Sequence, residues 1–294
     1  MIRYLFLVIT LMVFVTGCGG GKMEKTTQST QIIHKSITDV TDSAWAKLSE
    51  KKIYFGHQSV GFNILHGVED ILKTYPKINM TIVKTKDPAM LKNGVFAHSE
   101  VGRNTDPISK LNDFTDIMDK GIGNNADLAL MKFCYVDIGE NSDVKNIFST
   151  YKQSYDQLKN KFPNTTFIHV TTPLTSKRSD LLTLTKNIIK KLMGRQVRTY
   201  QDNIKRDEFN KMLLETYEGK EPIFDLAKVE STDDDGYRLT YLKEGTKFPA
   251  MIPTYTNDGG HLNDEGRKKI AEQFLIFLAD LPDGIGVVAE SNRE

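Results

Sequence analysis

The sequence predicts an α/β protein, a three-layer α/β/α sandwich built on a mainly parallel sheet. Short apolar runs alternate along the chain with stretches whose apolar residues recur at helical spacing. One run, DLALMKFCY at residues 127–135, is apolar over most of its length, which is typical of a strand buried on both faces. Because strands and helices alternate, helices should cover both faces of the sheet, and ligands should bind at the carboxyl ends of its strands.

These patterns predict the elements in chain order. The strands are expected at 52–55, 81–84, 127–135, 165–171 and 222–226. A helix follows the first strand, because Val60, Ile64 and Val68 lie on one helical face. Further helical regions are expected at 144–158, at 181–217 and at 270–278.

Composition places the chain among ordinary globular proteins. Of its 294 residues, 39% are hydrophobic, and 39 basic side chains balance 38 acidic ones. This balance gives no overall case for nucleic-acid binding. The chain has only two cysteines, Cys18 and Cys134, which excludes a framework of several disulfides and a cysteine-rich zinc site.

The first residues predict an export signal that ends at a lipidation site. Arg3 precedes a largely apolar run at 4–15, which is shorter than the roughly 20 residues that a membrane-spanning helix needs. Small residues then lead into Cys18, as in the lipobox of bacterial lipoproteins, which the segment resembles. The resemblance implies a lipid on Cys18 and an anchor on the extracytoplasmic face of the cell membrane or outer membrane. The alternative is an uncleaved anchor with an incidental cysteine.

The predicted organisation is a single domain behind a signal and a tether. The signal peptide covers 1–17, the lipidated cysteine and flexible tether 18–47, the domain 48–281 and a tail 282–294. Within the domain, the segment 174–200 carries seven lysines and arginines against one aspartate. It forms either a lid or cradle for an anionic glycan, or a solvated helix with its apolar side packed inward.

Two polar turns lie where they could share a site. Ser59 stands between the first strand and its helix, where it is either a helix cap or a nucleophile at a positive helix end. His261, just before the last helix, could take the proton of a serine hydroxyl, and Asp258 could orient its ring. Either turn alone could serve only to cap the helix that follows it. The two together favour Ser59 as a nucleophile and His261 as its base.

With these motifs the chain resembles the SGNH (GDSL-type) serine hydrolases, from the first predicted strand to the last helix. Asp258, His261, Asn263 and Gly266 match the family's D-x-x-H-x-N-x-x-G block in order. The resemblance implies a flavodoxin-like sandwich, with Ser59 as nucleophile, His261 as general base and acid, and Asp258 as the orienting carboxylate. It also implies an oxyanion hole.

The chain departs from the family in the groups around that oxyanion hole. The resemblance implies that the backbone N–H groups of Ser59 and Gly102 belong to the hole. Where the family has Gly-Asp before its serine, this chain has His57 and Gln58, and the third-block asparagine is replaced by Val136. A side-chain oxyanion donor is therefore missing from its usual position, and losing such a donor costs about a hundredfold in turnover.

Three residues are candidates to replace the missing donor. They are Asn104, Tyr135 and His57, and we rank Asn104 first because an amide reproduces the lost chemistry. Asp137 is expected to cap a helix or to pair with a cation. Cys134 is expected to be a buried, inert thiol, because no second base is evident beside it.

The sequence predicts an esterase that uses an acyl-enzyme, acting on O-acyl groups such as acetyl esters of cell-envelope or extracellular carbohydrate. The alternatives are an O-acyltransferase with the same three residues, or a catalytically weakened lipoprotein that binds polysaccharide. Neither a cofactor nor a metal is expected, because no histidine pair has metal-ligand spacing. The expected partners are the ester substrate and, through Cys18, the membrane.

Overall fold

The computed structural model describes residues 31–32, 34–176 and 199–282, together with the backbone of 24–27, and the predicted α/β fold is confirmed. Its strands are β1 (Glu24–Thr27), β2 (Ile53–His57), β3 (Thr81–Lys84), β4 (Val95–Glu100), β5 (Leu128–Met131), β6 (Thr166–Val170), β7 (Ile223–Phe224), β8 (Leu239–Lys243) and β9 (Thr246–Pro249). Six of them form a parallel sheet in the order β3-β4-β2-β5-β6-β7. The other three form a small antiparallel sheet in the order β1-β8-β9.

Helices connect these strands. They are α1 (Asp42–Ser49), α2 (Val60–Thr74), α3 (Pro107–Ile117), α4 (Gly123–Asn125), α5 (Val144–Lys161), α6 (Tyr200–Tyr217), α7 (Leu226–Ser231) and α8 (Asp264–Ala279). Short 3₁₀ turns lie at Ile37–Asp39, Pro88–Met90 and Pro253–Tyr255, and a kinked segment at Met118–Ile122, with a positive φ at Gly121, joins α3 to α4. Within the described residues, no helix has both the length and the apolar character needed to cross a membrane.

Side chains of the central strands alternate between two apolar cores, one on each face of the sheet. On one face Phe55 packs against Phe274 of α8, with ring centroids 6.0 Å apart. On the other face Tyr54 stacks on Phe114 of α3 at 6.3 Å. Because successive residues of a strand point to opposite faces, an apolar run such as β5 serves both cores at once.

The order of the strands places a topological switch point at the carboxyl ends of β2 and β5. These two strands are neighbours, but the chain leaves β2 toward β3 and β4 and leaves β5 toward β6 on the other side. Connections that diverge in this way open a crevice between them, which is the usual ligand site of such sheets. Ser59 follows β2 and Tyr135 follows β5, so both lie at this edge.

Some predicted elements differ from the observed ones. The strand expected at 127–135 covers only Leu128–Met131, because the chain then turns, with the Asp137 N–H donating to the Cys134 carbonyl at 3.0 Å. The residues beyond Met131 are apolar because they are buried, not because they are extended. The strand β4 and the helix α3 were not predicted. Polar residues interrupt the apolar pattern of both elements.

The predicted flexible tether over 18–47 is wrong from residue 34 onward. The Ile37 N–H donates to Glu272 of α8 at 2.9 Å, and the indole of Trp45 in α1 is fully buried in the core beside α8. Because α1 has only eight residues, it is too short to show a helical period in the sequence. The predicted signal at 1–17, the lipidation site Cys18, the positions 177–198 of the basic segment and the tail from 283 lie outside the described residues.

Trp45→Ala tests whether α1 belongs to the domain. Removing a fully buried indole should lower the free energy of unfolding by about 3–5 kcal/mol, through lost burial and the cavity left behind. Urea unfolding followed by circular dichroism measures this loss. Lys47→Ala on the same helix is the control and should change stability by less than about 1 kcal/mol. A loss below about 1 kcal/mol for Trp45→Ala would contradict the observed packing.

Candidate active site

Ser59 occupies a strained turn between β2 and α2. Its φ of 47° and ψ of −101° lie outside the common regions for a residue with a side chain, at a cost of about 1–3 kcal/mol. The hydroxyl does not cap α2, although Ser59 stands at the N-cap position. Instead, Ser59 Oγ lies 2.6 Å from His261 Nε2. The capping alternative is therefore wrong, and the hydroxyl faces a base.

Asp258 orients the ring of His261. Its Oδ2 lies 2.6 Å from His261 Nδ1, while Oδ1 accepts the backbone N–H groups of Gly260 and His261, each at 2.8 Å. Partial burial alone would raise the pKa of Asp258, but these hydrogen bonds outweigh burial and hold it below its usual range. Gly259, with φ of +86°, provides the tight turn between the two residues.

Neighbouring side chains fasten the His261 loop to the helices. Asn263 caps α8 by accepting the Gly266 N–H at 3.0 Å, and its amide donates to the Thr254 carbonyl at 2.7 Å. Asn63 of α2 accepts the Leu262 N–H at 3.2 Å. The asparagine and glycine of the family-like block thus have structural contacts here, and they keep His261 in reach of Ser59.

The residues just before Ser59 are held by contacts that the sequence did not indicate. The Gln58 side chain donates to the carbonyls of Val101 and Gly102, at 3.2 and 2.9 Å. The Gln58 carbonyl accepts from the buried Lys132 Nζ at 3.0 Å and from the Gly61 N–H at 3.0 Å. A lysine inside the apolar run at 127–135 was the one available sign of this arrangement. Burial lowers the pKa of Lys132.

His57, predicted as an oxyanion or substrate group, does not reach the site. Its ring is completely buried against Gly61, where an added Cβ would collide with it, and its Nε2 lies 3.0 Å from His98 Nδ1. Burial, together with the positive charges of Lys132 and Lys84, lowers the pKa of His57 to about 2. The prediction is wrong because the last side chain of β2 turns into the core.

The loop after β4 holds two predicted residues, Gly102 and Asn104. The Gly102 N–H donates to the Asp113 carboxylate at 2.9 Å, so its predicted role as an oxyanion donor is not supported in this arrangement. Asn104 is exposed, and its Oδ1 accepts from Lys110 Nζ at 2.9 Å. Lys110 in turn forms a fully buried ion pair with Asp137 at 2.5 Å, so the expected cation partner of Asp137 is present.

Ser59, His261 and Asp258 are called the relay below. Tyr135 is the donor candidate that contacts it. Its hydroxyl lies 3.3 Å from His261 Nε2, and the two rings meet edge to face with centroids 5.5 Å apart. The adjacent Cys134 is buried and unpaired, and its N–H donates to Asp137 at 2.5 Å. Tyr135, the residue before Val136, thus brings a phenol within 3.3 Å of His261.

The arrangement can activate a hydroxyl. A serine bonded to a neutral imidazole, whose other nitrogen faces a carboxylate, can transfer its proton as it attacks an electrophilic carbon. No cluster of three or more metal-binding side chains occurs in the part of the chain that the structure describes. That no metal or cofactor is required stays a prediction.

Neither a protein-family model nor a curated protein matches this sequence. Among solved structures, one described as a platelet activating factor from Streptococcus pneumonia matches at 14% identity, 82% of this chain, 94% of the other and a TM-score of 0.48. A lipolytic protein of the G-D-S-L family from Desulfitobacterium hafniense matches at 8% identity over 77% of this chain and 99% of the other, with a TM-score of 0.44. The periplasmic domain of a lipopolysaccharide acetyltransferase from Salmonella ser. Paratyphi A matches at 14% identity over 77% of this chain and 83% of the other, with a TM-score of 0.41.

These similarities concern the backbone fold. The chemistry of this chain rests on its own contacts at Ser59, His261 and Asp258.

The buried pair of His57 and His98 predicts a loss of stability in acid. Burial lowers their pKa values to about 2 and about 4, against 6.5 in an unfolded chain. Between pH 6.5 and about 4 the unfolded chain therefore binds more protons, and each histidine lowers the free energy of unfolding by up to about 1.4 kcal/mol per pH unit.

Comparison with His98→Gln isolates this effect. The buried Glu230, with its pKa raised to about 8, binds its proton more tightly in the folded protein and so raises the free energy of unfolding as the pH falls. This contribution is the same in wild type and in His98→Gln. Urea unfolding at several values between pH 6.5 and about 5 should show a steeper loss for wild type than for His98→Gln. Parallel curves would contradict the assignment of His98 as a neutral buried group.

Proposed function

We propose that this chain is a divergent SGNH-type serine esterase that works through an acyl-enzyme. One observation carries the proposal: Ser59 Oγ, His261 and Asp258 form a continuous relay with two contacts of 2.6 Å at the crevice edge of the sheet. The strained backbone of Ser59 supports it, because such strain clusters at functional sites.

In the proposed reaction His261 Nε2 takes the proton of Ser59 as Oγ attacks the carbonyl carbon of an ester. The tetrahedral intermediate collapses when the bond to the leaving oxygen breaks and His261 returns the proton to that oxygen. Water, deprotonated by the same ring, then attacks the acyl-serine and releases a carboxylic acid. Asp258 keeps the ring in the required tautomer and stabilises its charged form.

Two donors are proposed for the oxyanion, the Ser59 N–H and the Tyr135 hydroxyl. Although an amide is the closer chemical substitute, the contacts favour Tyr135 over Asn104. The phenol lies against His261, whereas the Asn104 side chain contacts Lys110 and, among the described residues, forms no hydrogen bond with Ser59 or His261. A phenol and a backbone N–H can both donate to a developing negative charge.

The proposed substrates are O-acyl esters, such as acetyl groups, on cell-envelope or extracellular carbohydrate. The side chains of His261 and Asp258 are 45% and 49% exposed, so the relay is open to a bulky substrate rather than enclosed in a deep pocket. The signal and Cys18 of the sequence support a lipid-anchored, extracytoplasmic location, which palmitate labelling of membrane fractions tests.

The same openness favours a second candidate function, O-acyl transfer. An alcohol of a sugar could reach the acyl-serine as easily as water does, and the two reactions use the same groups. The partition of product between free acid and acylated sugar, measured with an acetyl ester and excess oligosaccharide, distinguishes hydrolase from transferase.

Ser59→Ala should abolish the activity. With p-nitrophenyl acetate as substrate, we expect turnover to fall at least about a thousandfold, because the nucleophile is lost. A fluorophosphonate probe should label wild type and not the variant. Ser43→Ala, at an exposed serine of α1, is the matched control and should label as wild type does. Equal labelling of wild type and Ser59→Ala would identify another nucleophile, and an unlabelled, inactive wild type would reject the proposed function.

Tyr135→Phe tests the side-chain oxyanion donor. Removing only the phenolic oxygen should lower kcat about a hundredfold with little change in KM, because the lost contact forms in the transition state. Asn104→Ala, measured in parallel with p-nitrophenyl acetate, should lower kcat less than tenfold. The reverse order of effects would assign the donor to Asn104 instead.

A further inference from the structure

We propose that Lys132 is a positioning residue that presents the Ser59 N–H as an oxyanion donor. This inference rests on the proposed esterase activity. Lys132 touches neither the relay nor the crevice in the contacts described above, and it acts through the peptide group that joins Gln58 to Ser59.

Lys132 lies where β2 and β5 end side by side. Its backbone N–H donates to the Gly56 carbonyl at 3.2 Å, which continues the pairing one residue beyond Met131. Its Nζ then reaches the carbonyls of Gln58 at 3.0 Å and Phe133 at 3.2 Å. The lysine therefore ties the peptide before the nucleophile to the turn that carries Tyr135.

Fixing the Gln58 carbonyl also fixes the direction of the Ser59 N–H. In a trans peptide the carbonyl and the N–H point to opposite sides, and the chain has no cis peptide bond among its described residues. With the carbonyl drawn inward by Lys132 and by the Gly61 N–H, the Ser59 N–H points away from the interior. That is the direction in which an oxyanion donor must point.

The strain at Ser59 explains why such a restraint is needed. Rotation of the peptide between Gln58 and Ser59 could relieve the unfavourable positive φ of the serine. It would also remove the Gln58 carbonyl from Lys132 and leave a buried polar group without its partner, at a cost of about 1–3 kcal/mol. The lysine thus opposes the relaxation that would turn the N–H away.

This role does not depend on the charge of the lysine. The side chain is fully buried, and no carboxylate lies within ion-pair distance of it in the described parts of the chain. Burial lowers the pKa of Lys132, and a neutral amine still has two N–H donors, as many as its two carbonyl partners require. Lys132 therefore acts by fixing the direction of the Gln58 carbonyl, and not by electrostatic attraction.

The test separates a reaction that forms an oxyanion from one that does not. In a Ser59→Cys background, p-nitrophenyl acetate acylates the new thiol through a tetrahedral oxyanion and releases p-nitrophenolate. Iodoacetamide alkylates the same thiol by displacing iodide, and no oxyanion forms. Adding Lys132→Met should slow acylation about a hundredfold and change alkylation less than about twofold.

Matched controls accompany this comparison. Glu230→Gln changes another fully buried titratable group, which accepts the Leu174 N–H at 2.7 Å, and it should alter neither reaction. Protein that keeps Ser59 measures the background alkylation of Cys134, and peptide mass analysis locates the label. Thermal unfolding checks each variant. Lys132→Gln keeps an N–H donor on a chain one bond shorter, and it should retain more acylation than Lys132→Met.

Each outcome decides the proposal. Equal losses of acylation and alkylation would show that Lys132 supports the site only as a structural residue. Unchanged acylation would overturn the proposal while the esterase function stands. Absence of acylation in both wild type and Ser59→Cys would reject the esterase function and this inference with it. If Lys132→Met does not fold, Lys132→Leu, which also lacks the N–H donors, carries the comparison, and an acylation rate equal to that of Ser59→Cys alone would overturn the proposal.

Discussion

The peptide group between Gln58 and Ser59 is the point on which the geometry of the site depends. Its carbonyl accepts hydrogen bonds from Lys132 and from the first turn of α2, and the Gln58 side chain donates to a carbonyl of the loop after β4. The serine that follows is left in a backbone conformation that few residues adopt. These contacts come from β5, α2 and the β4 loop, so the packing of three elements determines the direction of one N–H group and one hydroxyl.

A second buried group organises the other wall of the crevice. Asp137 accepts the N–H groups of Cys134 and Thr105 and pairs with Lys110, so one carboxylate joins the turn after β5 to the loop after β4 and to α3. An ion pair buried this completely adds little net stability, but removing one partner leaves an uncompensated charge. The ion pair instead fixes position, because it keeps Tyr135 beside His261. In the sequence, Val136 stands where the resembled family has its donor.

Sequence patterns could predict the relay because its parts are local. Ser59 is adjacent to a strand, and Asp258 and His261 lie within one turn, so position in the chain largely determines their relation. The proposed oxyanion donors could not be predicted in this way. Gly102 faces Asp113 and His57 turns into the core through contacts between residues distant in sequence. The same holds for Trp45, whose burial depends on a helix more than 200 residues away. Only the isolated lysine in the apolar run hinted at the interior contact.

The attachment of the N-terminal segment to α8 has a mechanical consequence. Lys35 pairs with Asp280, and the Ile37 N–H bonds to Glu272, both in the second half of the helix or just beyond it. The helix has 16 residues and therefore spans about 24 Å, with the His261 loop at its opposite end. A pull on the start of the chain would first load the pairing of β1 with β8 and only then these contacts, in shear along the helix. The tension would thus pass through an antiparallel strand pair before it reached α8, at the end of that helix remote from the His261 loop.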